Sequence, residues 1–150
     1  MPITIKTKKD IENMRIAGQK AAAVLNMLDQ YVVPGITTEE LDKIAFDYIT
    51  RDLKCIPANV GYNGYPKTLC TSLNSVICHG IPSETQTLKD GDILNIDVTV
   101  IENKWHGDTS KMYAVGKIQN FAKRLIDVTQ ECMYQGIKKV RPGEKLGTIG

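Results

Sequence analysis

The sequence predicts an α+β fold, formed as one domain over residues 1–150. Two segments with apolar residues at helical spacing come first, strand-like segments rich in β-branched residues follow, and a third helical segment comes last. At 150 residues and 42% hydrophobic content, the chain can bury one sizeable core but is too short for two. The net charge of +2, without a basic or aromatic-rich tract, gives no indication of a nucleic-acid-binding surface.

Capping signals mark the starts of the first two helices. Thr7 precedes Asp10 by three residues and Thr37 precedes Glu40 by the same interval, which is the pattern of a capping box. Apolar residues at helical spacing then predict a first helix of roughly twenty residues and a shorter second one. The first helix is expected to end at Val33-Pro34-Gly35, because proline cannot donate a backbone hydrogen bond.

Weaker signals divide the middle and the end of the chain. Glycine and tyrosine predict a loop from Pro57 to Pro66, and two short strands are expected after it, at 67–73 and 75–79, joined near Asn74. A third helix is predicted after Gly116, with its end at residues 140–143.

The segment Ile93–Ile101, ILNIDVTVI, predicts a strand with one fully apolar face. Asp97 lies on the other face, which is polar in its middle and apolar at its ends, the reverse of a strand fraying into solvent. Residues 102–104 are a turn candidate, and residues 105–115 alternate again, with Asp108 on one side. The two segments therefore predict a hairpin that carries two aspartates.

The register of this hairpin decides how close the aspartates lie. A Glu102-Asn103 loop places Asp97 directly opposite Asp108, with Cβ atoms about 4.5–5.5 Å apart, whereas an Asn103-Lys104 loop makes them diagonal neighbours at roughly 7–8 Å. An odd-numbered loop separates them. Two carboxylates on one face repel each other and lose solvation, so water, a shared proton or a cation is expected between them, and a metal ion is the simplest choice. A solvated surface pair is the alternative that spacing leaves open.

Several separated motifs resemble the N-terminal half of the type I methionine aminopeptidases. These motifs are GYNGYPKTLCTS, VICHGIP, NIDVTV and HGDTSKM, in matching order and spacing over essentially all 150 residues. The resemblance implies the pita-bread (creatinase/aminopeptidase-like) fold, here its first pseudo-symmetric half plus the start of the second. An internal echo between Val33-Pro34-Gly35 and Arg141-Pro142-Gly143 fits that symmetry. Residues 1–150 are thus expected to form the N-terminal portion of a single metallo-aminopeptidase catalytic domain, of bacterial type because no zinc-binding extension precedes the first helix.

The same resemblance assigns roles to individual residues. It makes Asp97 and Asp108 ligands of a centre with two divalent metal ions, expected to be cobalt, manganese, iron(II) or zinc. It makes His79 the catalytic residue, in contact with substrate near the scissile bond. His106 shares a strand face with Asp108, yet the resemblance gives it no ligand role, so it is expected either to contact the metal ligands without binding metal or to be exposed to solvent.

A pocket for the methionine side chain is implied by Tyr62, Tyr65 and Cys70, which match pocket-lining positions of the family. Aromatic ring edges and a polarizable thiol suit a thioether. The four cysteines have no paired spacing, so reduced thiols are expected rather than a zinc knuckle or a disulfide framework.

The expected function is metal-dependent removal of the initiator methionine from nascent proteins when the second residue is small, with a metal-bridging hydroxide attacking the first peptide bond. The complete site of the family also needs a histidine and two glutamates from the second half, so the 150 residues alone are expected to be inactive. The expected partners are N-terminal methionyl peptides and nascent chains at the ribosome. Residues 1–3 begin no apolar signal region and no long apolar stretch follows, so a cytoplasmic enzyme, monomeric at full length and without membrane contact, is expected.

Two alternatives use the same fold. One is a proline-directed aminopeptidase or dipeptidase, which would share the metal ligands. The other is a noncatalytic binding protein, which would have no use for opposed carboxylates. The pocket residues Tyr62, Tyr65 and Cys70 count against the first, and retention of Asp97 and Asp108 counts against the second.

Overall fold

Two helices cover one face of a four-stranded antiparallel sheet in the computed structural model, which describes residues 3–150. The sequence predicts that no signal region begins at the N-terminus, and Met1 and Pro2 of that segment lie outside the described residues. A π-helical turn follows the second helix, and single 3₁₀ turns lie at 62–64 and 146–148. The main elements are α1 (Lys8–Leu28), α2 (Thr38–Asp47), β1 (Ile56–Pro57), β2 (Leu69–Leu73), β3 (Ile93–Glu102), β4 (Trp105–Ala114) and α3 (Asn120–Lys139).

Both predicted capping boxes are confirmed. In α1 the Asp10 amide donates to Thr7 Oγ1 at 3.2 Å and the Thr7 amide donates to Asp10 Oδ2 at 2.8 Å, and Thr37 and Glu40 repeat the arrangement at α2. The predicted end of α1 at residues 33–35 is wrong, because the helix stops at Leu28, the last residue of its buried stripe. The chain then turns back and buries Val32 against the core before it reaches Pro34.

The sheet is built around β3. β4 pairs with its full length on one edge, and β1 and β2 share the other edge. The predicted apolar face is confirmed, since all four of its side chains are fully buried under α1 and α2. The opposite face of β3 is thereby left for polar residues. The four buried side chains are Leu94, Ile96, Val98 and Val100.

The predicted strand at 75–79 is wrong. β2 ends at Leu73, Asn74 turns the chain with a φ of +50°, and residues 75–79 are irregular. Ile77 in this segment is 94% exposed, so the apolar residues that resemble a strand in sequence do not pair with the sheet. β2 also begins at Leu69, two residues later than predicted, and β1 is a short strand that the predicted loop missed.

The third helix is confirmed, as α3, and it lies largely apart from the sheet. Within the described chain, Ala122 is its only buried residue, and its apolar stripe is exposed. Among residues 3–150, no helix is both long enough and apolar enough to cross a membrane. The exposed apolar side chains of α3 are Phe121, Leu125, Val128, Met133, Tyr134 and Ile137.

Candidate active site

The two aspartates lie on one face of the β3–β4 hairpin as diagonal neighbours. The hairpin loop is Asn103-Lys104, so Thr99 rather than Asp97 pairs with Asp108. Asn103 and Lys104 have φ values of +47° and +72°, the left-handed conformation that a two-residue turn needs to match the twist of its strands. Of the registers that the sequence left open, this is the diagonal one. Both carboxylates therefore occupy the sheet face that α1 and α2 do not cover.

Electrostatics at this face favour a cation. Burial raises the pKa of Asp97, the negative charge of Asp108 raises it further, and His79 opposes the rise. Carboxylate oxygens are ligands that divalent cations accept, so the residues present fit a metal ion. Within residues 3–150, however, no group of three or more His, Cys, Asp or Glu side chains is arranged to hold one. Asp97 and Asp108 are thus a partial ligand set.

A cavity of about 730 Å³ lies above the two aspartates. Every residue that the sequence predicted for the site contributes to its lining, although these residues come from three strands, one turn and one irregular segment. The structure therefore brings together side chains that are up to 46 positions apart in the chain. The predicted residues in the lining are Tyr62, Tyr65, Cys70, His79, Asp97 and Asp108.

One wall of the cavity is formed by Tyr65 and Cys70. The Tyr65 hydroxyl shares its one proton between two carbonyl acceptors, Leu69 O at 2.9 Å and Gly80 O at 3.2 Å, which fixes the ring against β2. Burial is the main cause that raises the pKa of both the Tyr65 hydroxyl and the Cys70 thiol, so both groups are neutral near pH 7. Tyr62 is 70% exposed. The result is an uncharged, partly aromatic wall.

His79 enters the cavity from irregular backbone and not from the strand end that was predicted. Its φ of +57° is unusual for a residue with a side chain. The following residue must be glycine, since a Cβ on Gly80 would lie 2.1 Å from Thr71 O. Thr71 N donates to Gly80 O at 2.7 Å and ties this segment to β2. The Cys-His-Gly sequence thus supports an exposed imidazole at the cavity.

Sequence reasoning missed several residues of the lining. Thr99 faces the cavity beside Asp97, and the period-two alternation of β3 was the signal that could have identified it. His106 is exposed and also lines the cavity, in agreement with the solvent-exposed alternative. No motif marks the remaining lining residues as part of a site. These are Ala58, Asn59, Asn63, Gly64, Pro66 and Ile81.

Known proteins match this chain along its length. The methionine aminopeptidase of Salmonella typhimurium is 57% identical over 150 residues, which is 100% of this chain and 57% of that protein. A crystal structure of methionine aminopeptidase from Rickettsia prowazekii superposes with a TM-score of 0.96 at 50% identity, covering 99% of this chain and 59% of that one. The chain therefore spans less than two thirds of the length of these relatives.

A more distant match supports the fold alone. The prolidase from Pyrococcus furiosus superposes with a TM-score of 0.79 at 19% identity, covering 97% of this chain and 41% of that one. Together these structures confirm the predicted pita-bread fold. The model of metallopeptidase family M24 matches residues 12–150, and a divalent metal cofactor is implied by that match. On this coverage, with the two carboxylates at the floor of the cavity, the chain belongs to metallopeptidase family M24.

Proposed function

We propose that this chain forms the N-terminal part of a metal-dependent methionine aminopeptidase, which removes the N-terminal methionine from proteins whose second residue is small. The substrates would be methionyl peptides and nascent chains at the ribosome, in the cytoplasm, and the full-length enzyme would be a monomer. The 57% identity to a methionine aminopeptidase supports the substrate class.

The observation that carries this proposal is the pair of carboxylates on the cavity floor. Asp97 and Asp108 lie on the same uncovered sheet face, and burial and mutual repulsion raise the pKa of Asp97. Such a pair is costly unless a cation neutralises it. These two residues would hold the metal ions, two in number and drawn from cobalt, manganese, iron(II) and zinc. When bound, the ions lower the pKa of a water molecule and polarise the substrate carbonyl.

The remaining lining would orient the peptide. Tyr62, Tyr65 and Cys70 offer ring edges and an uncharged thiol to an unbranched thioether side chain. His79 would donate a hydrogen bond to the scissile amide or to its departing nitrogen, because its imidazole lines the same cavity as the two aspartates.

Two carboxylates are too few protein ligands for a stable two-metal centre, since catalytic sites ordinarily use about three protein ligands per ion. Further ligands would come from outside residues 3–150. The 150 residues alone are therefore expected to bind metal weakly and to show little turnover. The proline-directed alternative is less well supported, because the prolidase match is 19% identical against 57% for the methionine aminopeptidase.

The test is hydrolysis of a Met-Ala-Ser peptide with added manganese or cobalt. Two proteins are compared: this chain, and a chimera in which it is joined to the part of the Salmonella typhimurium protein that lies beyond the matched region. Asp97→Asn keeps the shape of the side chain and removes its charge. Asp127→Asn on α3, whose side chain is 57% exposed, is the matched control.

The chimera is expected to cleave the peptide, and Asp97→Asn to reduce its rate by more than about a hundredfold, since even residues that only support metal ligands cost 10–100-fold. Asp127→Asn should leave the rate unchanged. A folded, metal-loaded chimera without activity would favour the noncatalytic binding protein. Turnover by the 150 residues alone at an ordinary enzymatic rate would contradict the expectation that more ligands are needed.

A further inference from the structure

Asp42 is a buried carboxylate outside the cavity, and the chemistry proposed above does not use it. It lies on α2, is 6% exposed, and its Oδ1 accepts hydrogen bonds from two backbone amides, Thr68 N at 2.9 Å and Leu69 N at 2.7 Å. Burial raises its pKa, while the two amide donors oppose that rise. Its contacts are therefore directed at the start of β2.

β2 is an edge strand, so its outward amides need partners other than a neighbouring strand. In an antiparallel sheet the N–H and C=O of one residue point to the same side. Leu69 directs both outward: its amide donates to Asp42 and its carbonyl accepts from the Tyr65 hydroxyl. Two residues later, Thr71 N donates to Gly80 O. Asp42 thus takes the place of the absent strand at the start of β2.

The backbone that Asp42 holds carries one wall of the cavity. Cys70 follows Leu69 directly and pairs with Asp97 across the sheet. Thr68 O accepts a hydrogen bond from Asn59 Nδ2 at 2.9 Å, and Asn59 also lines the cavity. Two lining residues therefore adjoin or contact the segment that Asp42 anchors, in addition to the tyrosine bonded to the Leu69 carbonyl.

We propose that Asp42 is a positioning residue for the cavity wall formed by Tyr65 and Cys70, and that it thereby sets the fit of this wall to the unbranched side chain of the substrate's first residue. The choice of substrate rests on the proposed function, whereas the positioning does not. Without the carboxylate, two buried amides lose their acceptor, and opening the edge of β2 to water relieves that loss. The wall would then lose its fixed spacing.

Three cysteines of the chain allow a test that needs no enzymatic activity. Cys70 reports on the wall, exposed Cys132 on α3 serves as a reference for reagent reactivity, and Cys55, in the hydrophobic core, reports unfolding of the whole domain. The rate at which a small alkylating reagent modifies each thiol is measured by mass spectrometry. The variants are Asp42→Ala, Asp42→Asn and, as a matched control on the same helix, Asp47→Ala, whose side chain is 52% exposed.

Asp42→Ala is expected to raise the rate for Cys70, relative to Cys132, by about tenfold or more, since two buried amides lose their acceptor. Cys55 should stay protected. Asp42→Asn keeps an oxygen acceptor and should give a smaller rise, and Asp47→Ala should give none. An unchanged Cys70 rate in Asp42→Ala would overturn the proposal. A Cys55 rate that rises in step with Cys70 would also overturn it, because Asp42 would then act on overall stability.

The active chimera supplies the second readout. Asp42→Ala should raise KM for Met-Ala-Ser more than it lowers kcat, and it should reduce the preference for Met-Ala-Ser over the branched Leu-Ala-Ser. Asp42→Asn should restore most of that preference. An unchanged preference would overturn the role in selectivity. If the unsubstituted chimera does not cleave Met-Ala-Ser, the proposed function fails, and the labelling of Cys70 still decides whether Asp42 positions the wall.

Discussion

Gly107→Ala should destabilise the protein through one backbone contact. Gly107 lies on β4 where this strand meets α1, immediately before Asp108. A Cβ at this position would lie 2.0 Å from Ala17 O, 2.3 Å from Ala17 C and 2.8 Å from Gly18 N, all of them main-chain atoms of the helix. None of these atoms can rotate away as a side chain could. The strand or the helix would have to move.

The size of the effect follows from that geometry. Overpacking a well-packed core costs about 1–3 kcal/mol, and occasionally more. Because the clash involves backbone on both sides, we expect a loss in the free energy of unfolding near the upper end, about 3 kcal/mol. Displacement of β4 would also move Asp108, so metal binding by the chimera should weaken in the same variant.

Urea unfolding followed by circular dichroism measures this loss, with Gly18→Ala as the control. A Cβ on Gly18 would have open space around it, with no neighbouring atom within 4 Å, and the residue lies inside α1. Alanine there should raise the free energy of unfolding by about 0.5–1 kcal/mol, because glycine is the poorer helix former. Both substitutions add one methyl group, at Gly107 against the helix backbone and at Gly18 into open space, and their effects on the free energy of unfolding are expected to have opposite sign. Equal effects, or a stable Gly107→Ala, would refute the reasoning.

Three further predictions concern stability, each measured by urea unfolding. Leu28→Ala removes a fully buried core side chain and should lower the free energy of unfolding by about 2–5 kcal/mol; a loss below 1 kcal/mol would mean that the core collapses around the gap. Thr37→Ala removes the N-cap of α2 and should lower the free energy of unfolding by about 1 kcal/mol, whereas Thr37→Ser should retain most of that stability. The ion pair with Lys67 lowers the pKa of Glu39. The contribution of this pair to the free energy of unfolding is therefore complete at pH values above the ordinary glutamate pKa, and it is lost as the pH falls through the lowered value. Lys67→Met should therefore weaken the acid dependence of the urea midpoint, and an unaltered dependence would count against the pair.

Local signals in the sequence predicted much of the fold. The two capping boxes and the alternation of β3 depend on neighbours within a few residues, so the local sequence is enough to predict them. The strand expected at 75–79 failed because a strand needs a partner, and composition does not state whether one is available. The left-handed backbone of His79 is likewise set by the packing of Gly80 against β2, which no local pattern indicates.

The candidate site divides in the same way. Motifs identified six of the residues that line the cavity, and the register of the hairpin was narrowed to a choice between loop positions. Asp42 could not be identified from sequence, because its partners are backbone amides 26 and 27 residues away and amides have no side-chain signature. Residues that support a site through main-chain contacts can therefore be identified only once the structure is known.

The contact between α1 and β4 has a consequence for biosynthesis. Tyr113 on β4 donates a hydrogen bond to Leu25 O of α1 at 2.8 Å across 88 positions of sequence, and Lys111 pairs with Asp29 across 82. Because α1 precedes β4 in the chain, it must wait for the residues between them to be synthesised before its apolar stripe is covered. At about 5–20 residues per second, that wait lasts several seconds. During translation, the apolar stripe of α1 is consequently open to aggregation until β4 has been synthesised.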